Sequence, residues 1–163
     1  MDIGIVVVQF LHIAGGAAWF GGSLFANAVV LPYVGRQAAE RRRELVGGLI
    51  IGPERVMIAA ALTAAVTGVL RGMVFGRIQS IESLGTPYGL VWLASVVVAV
   101  LVFGTGGRIT SPAARALRDD DAVWASGSAE MSEAAFDRVR RGFRFELAGI
   151  TAILGLMVAL TRL

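Results

Sequence analysis

Four stretches of this chain are apolar over about 18 residues or more. That is the length that carries a helix through a ~30 Å hydrocarbon layer at ~1.5 Å per residue. Lipid offers no water to exposed backbone groups, so such a stretch has to satisfy its own N–H and C=O groups. The first runs from about Ile3 to Leu31, where Pro32 follows. The second opens at Pro53-Glu54, a favourable first-turn pair, and runs to about Gly76. The third covers about Tyr88 to Thr105 and the fourth about Phe143 to Leu160. The expected fold is all-α, a single four-transmembrane-helix bundle over residues 1–163.

Composition agrees. Mean hydropathy is +0.72, and 56% of the 163 residues are hydrophobic. A soluble domain of this length would not carry several apolar runs near 20 residues. The first span could be taken for a cleaved leader ending at Ala26-Asn27-Ala28. Against that, its head carries Asp2 and no positive charge, and the apolar run exceeds the ~7–15 residues of a leader core. With no cysteine, disulfides, iron–sulfur clusters and thiolate metal sites are excluded.

The net charge of +3 comes from arginine alone, because the chain has no lysine. This bias, with abundant Ala, Gly and Val, points to a GC-rich bacterial genome. Membrane topology explains the basic balance better than a nucleic-acid partner does. The first loop carries Arg36, Arg41, Arg42, Arg43 and Arg55, and the third carries Arg108, Arg115, Arg118, Arg138, Arg140, Arg141 and Arg144. The second carries only Arg77. Positive loops stay inside, so both termini are expected outside, in a bacterial cytoplasmic (inner) membrane. Within the third loop, Asp119-Asp120-Asp121 and Ser126-Gly127-Ser128 read as a solvated turn. Ser132 then caps a short amphipathic helix, with Phe136, Val139 and Phe143 on one face and arginines around it. Such a helix would lie on the inner surface against anionic lipid before span four, or dock a partner.

Chemistry is sought first at His12, the only histidine, which falls inside the first span. An ionisable ring within a membrane faces protein, water or a cofactor, since lipid is costly for it. Counting from span midpoints, His12 lies roughly 6 Å and Arg71 roughly 7 Å toward the outer side. Trp92, Ser95 and Met157 fall in the same half, and Met73 lies slightly higher. His12, Gly16, Trp19, Ser23 and Ala26 or Asn27 share one helix face. Gly15, Gly16, Gly21 and Gly22 strip bulk from it, for close helix packing or for a large flat ligand. His12 therefore admits three readings: a bond to a neighbouring helix, a metal or haem ligand, or a proton relay. Arg71 either snorkels to the interface or balances a buried anion such as a propionate. Met157 and Met73 are packing residues or second ligands.

Leu11-His12, Trp19-Phe20, Gly22, Leu24-Phe25 and Leu31-Pro32 resemble the first span of CopD-like membrane proteins and the related HemJ-type protoporphyrinogen oxidases. Thr86-Pro87-Tyr88-Gly89 resembles a second CopD-like signature. The resemblance covers about a third of the chain. It implies a helical bundle with a functional histidine: on haem b in the HemJ type, near copper in the CopD type. Those families carry a lysine after the Tyr-Gly segment, and this chain has none. The chain also lacks Met- and His-rich clusters. Both departures count against porphyrinogen oxidation and copper transport, whereas a haem site needs only His12.

No hydrolase, kinase or nucleotide-binding signature is present, and Gly104-Thr105-Gly106-Gly107 lacks the strand–turn–helix setting of a phosphate loop. Glu54 and Glu146 are read as acids at inner helix ends, stabilised by the helix dipole. The expected cofactor site is His12, Gly16, Trp19, Arg71, Trp92 and Met157, with His12 the metal ligand. The expected cofactor is haem b, with copper as the alternative. The function would be a redox or respiratory-chain-associated subunit. The other readings are a copper or small-solute transport protein and a structural subunit or assembly factor. Expected partners are the lipid bilayer and either membrane-complex subunits or a second copy of the chain.

Overall fold

The computed structural model describes residues 2–125 and 129–163, so the turn read at Ser126-Gly127-Ser128 lies outside the described residues. Among the described residues there is no strand. Helices are α1 (Ile3–Phe25), α2 (Leu31–Gly35), α3 (Ala39–Leu45), α4 (Glu54–Met73), α5 (Pro87–Thr105), α6 (Ser111–Asp119) and α7 (Ala129–Leu160). They join into four apolar rods long enough to cross a membrane: Ile3–Gly35, Ala39–Met73, Pro87–Asp119 and Glu130–Leu160. The protein is a multi-pass membrane protein with an all-α four-helix architecture.

Proline explains where the rods thicken. A proline has no N–H, and its ring crowds the carbonyl four residues earlier. Those carbonyls belong to Ala28 for Pro32, Leu49 for Pro53 and Arg108 for Pro112. Each lies within a π-helical turn, at Ala26–Val30, Val46–Ile51 and Gly106–Thr110 respectively. The residue before each proline bonds five residues back, Leu31 to Ala26, Gly52 to Gly47 and Ser111 to Gly106. The wider turn relieves the crowding without ending the rod. So the first rod passes Pro32 and reaches Gly35, and the third passes Thr105 and reaches Asp119, both beyond the limits read from hydropathy. The fourth proline, Pro87, sits in the first turn of α5, where Thr86 Oγ1 accepts from Gly89 N–H at 3.1 Å. At the other start, Asp2 accepts from Gly4 N–H at 2.8 Å and caps α1.

The rods pair α1 with α4 and α5 with α7, and α6 packs on α7. Gly15 sets the first pairing. A Cβ there would stand 2.8 Å from Ala60 O and 3.0 Å from Ala64 N, so only glycine lets α1 approach the α4 backbone this closely.

The densest core lies at the arginine-rich end. Val34, Val46, Leu117 and Val139 are each 0% exposed there, packed with Leu31, Ile50 and Phe136. This is where the amphipathic segment goes. It is helical as expected, but it is continuous with span four in α7, and Ser132 lies inside the helix rather than at its cap. Phe136 and Val139 are buried in the protein core instead of lying on a membrane surface, while Arg138, Arg140, Arg141 and Arg144 are exposed. Arg42 is also no free loop charge. Its guanidinium bonds Glu133 and Gly35 O and stacks 5.2 Å from the Phe136 ring centre, tying α3, the end of α2 and α7 together.

Candidate functional site

Away from that core the bundle is hollow. A small cluster of Trp19, Ala61, Val102 and Ile150 forms a waist. Here the Trp19 and Phe103 rings stack with centroids 5.5 Å apart. Both rings line two cavities, one on each side along the bundle axis.

The cavity toward the arginine-poor end holds about 440 Å³. His12, Gly16, Trp19, Trp92 and Met157 line it, so five of the six expected site residues converge on one space, with Ser95 beside them. The helical step and the shared depth bring them together. Arg71 does not join them: it is exposed and is not among the lining residues. Arg71 stands on the same stripe of α4 as Ala64 and Gly68, about one turn farther along, but its side chain stays at the surface outside the lining. Met73 is likewise exposed, 50%, and outside the lining.

Tertiary contacts hold the imidazole in one pose. His12 Nδ1 lies 2.9 Å from Ala64 O. A carbonyl can only accept, so Nδ1 carries the hydrogen and donates. In the neutral ring Nε2 then keeps its lone pair. Thr67 Oγ1 sits 3.3 Å from Nδ1 and itself donates to Thr63 O. Gly68 clears the space beside the ring, since a Cβ there would stand 3.0 Å from His12 Cε1. Gly72 does the same for the indole of Trp92, which a Cβ would overlap. Gly16 meets nothing within 4 Å of such a Cβ and leaves the cavity wall open. The expected role of the glycines thus divides: Gly15 packs helices, Gly16 opens the cavity, Gly22 abuts Met57, and Gly21 faces open space.

Ala64, Thr67 and Gly68 escaped the sequence reading because nothing in an apolar helix marks which carbonyl a distant ring will meet. Phe103 was missed for the same reason. Glu146 was misplaced. It stands in the middle of α7, not at a helix end, and accepts from Trp19 Nε1–H at 2.8 Å. Its place at the waist, rather than a helix dipole, explains it. Glu54 does open α4, and it also accepts from Ser111 Oγ at 2.6 Å and from Arg115 at 3.1 Å.

Among the described residues no three His, Cys, Asp or Glu side chains converge as a metal cage. Any metal at His12 would need a macrocycle, a thioether or water for its remaining positions. No family model, curated protein or solved structure matches the chain.

Proposed function

We propose that this chain is a membrane haem b protein of the bacterial inner membrane, serving as a redox or respiratory-chain-associated subunit. The observation that supports this most is the state of His12. A ring whose Nδ1–H is held by a backbone carbonyl and whose Nε2 keeps a free lone pair is how ligating histidines are oriented.

The residues present fit the group. The volume falls within the ~300–1,000 Å³ of cofactor sites, and the walls are almost wholly apolar. His12 would hold the iron. Met157, which lines the same cavity, would be the second ligand. Gly16 leaves room for a flat ring, and Trp92, Val96 and Leu154 would line its pocket. When bound, the iron supplies one-electron redox chemistry, tuned by ligand identity and burial. Ala64 fixes the imidazole tautomer, and the apolar walls exclude water. The resemblance of Leu11-His12, Trp19 and Leu31-Pro32 to the HemJ-type pattern supports the same reading.

Absorbance of protein purified from haem-replete cells tests it. A Soret band is expected that disappears in His12→Ala and shifts in Met157→Ala. Colourless wild-type protein sinks the proposal. The His12–Met157 pair also suits copper(I), since imidazole and thioether are both ligands for that ion. Metal analysis of colourless protein would bring that second reading forward.

A further inference from the structure

The second cavity, toward the arginine-rich end, holds about 420 Å³ and differs in chemistry from the first. Two carboxylates line it, Glu54 and Glu146, and none of its lining residues is an arginine or histidine. The two acids are not equivalent. Glu54 is neutralised by Arg115, at 3.1 and 3.2 Å, and bonded by Ser111. Glu146 takes one hydrogen bond, from the uncharged Trp19 indole, and among the described residues no arginine pairs with it. A carboxylate within a membrane-spanning helix is costly to leave without a positive partner.

The rest of the wall says what kind of partner fits. Trp19, Phe25, Phe103 and Phe143 line the same cavity as the carboxylate, and aromatic faces attract cations. Phe25, Leu49, Ile58 and Leu62 line the cavity while remaining 43–58% exposed on the bundle surface. The mouth therefore opens sideways toward lipid, so a ligand would arrive from the bilayer. An inorganic cation, which keeps its hydration shell, is excluded by such a route.

We propose that this cavity binds a lipophilic organic cation, an aryl- or alkyl-substituted ammonium or phosphonium, with Glu146 as its counter-ion and Trp19 holding that carboxylate in place. The proposal stands on the second cavity alone and does not require a cofactor at His12.

Tetraphenylphosphonium is a suitable probe, and tetraphenylborate, similar in shape and opposite in charge, is its control. Binding to the purified full chain in lipid nanodiscs is measured by equilibrium dialysis. Saturable one-to-one binding of the phosphonium is expected, with no saturable binding of the borate. Glu146→Gln should weaken the phosphonium at least tenfold. Gly106→Leu should block it as well, because Gly106 lines the cavity, a Cβ there meets nothing within 4 Å, and no charge is altered. Gel filtration and helical circular dichroism check each variant, and should Glu146→Gln fail to fold, Gly106→Leu decides. Unchanged affinity in either folded variant, equal binding of the borate, or no saturable binding to wild type overturns the proposal. Haem absorbance read on the same preparations keeps this result separate from that at His12.

Discussion

The two ends of this bundle are built to opposite rules. At the arginine-rich end, α2, α3, α6 and the start of α7 close on a core whose central side chains have no solvent contact. From the Trp19–Phe103 waist outward, the same four rods stand apart around a cavity floored by two aromatic rings. Tight packing holds a membrane bundle together through dispersion, since lipid is as apolar as the side chains. Hollow packing gives that up locally. The contrast assigns stability to the closed core and ligand chemistry to the cavities on either side of the waist.

Substitutions can break this division or sharpen it. The largest loss of stability is expected from Leu117→Ala, about 2–5 kcal/mol for truncating a side chain that is 0% exposed in the closed core. Reversible unfolding in detergent measures it, and a loss below about 1 kcal/mol would mean the two ends are packed alike. Next comes Trp19→Phe at the waist. It leaves the Glu146 carboxylate without its N–H donor, at a cost of about 1–3 kcal/mol. It should also loosen phosphonium binding while leaving the core intact. His12→Ala forfeits the bond to Ala64, worth about 1 kcal/mol, and the contact with Thr67, yet should abolish the haem signal. A large fall in stability without a spectral change would make His12 a packing residue. The smallest effect belongs to Arg71→Ala, within about 0.5 kcal/mol, because the side chain is exposed and outside the cavity lining. A shifted Soret position in that variant would restore Arg71 to the site.

The depth of the His12 site was legible in the sequence because a helix in a bilayer converts residue number into height at a fixed rise. His12, Trp92, Ser95 and Met157 were placed in one layer on that ground, and they line one cavity. Arg71 shows where the method stops, since height does not fix whether a long side chain turns into a cavity or out to the surface. Glu146 shows a second limit. Starting span four at Phe143 put that acid at a helix end, whereas α7 runs unbroken from Ala129 and carries it to the waist. Pro32 shows a third. A proline reads as a helix boundary, but the π turn at Ala26–Val30 absorbs it.

The amino-acid order by itself determined that the chain is four apolar helices and that one imidazole sits among them. Hydropathy and helical rise are local properties, written residue by residue. Which carbonyl holds the imidazole, which carboxylate meets Trp19 and where the rods part into cavities were decided only by tertiary structure. Those outcomes depend on the rotation of each helix about its axis and on the close approach that Gly15 permits. Both are set by contacts between residues far apart in the chain.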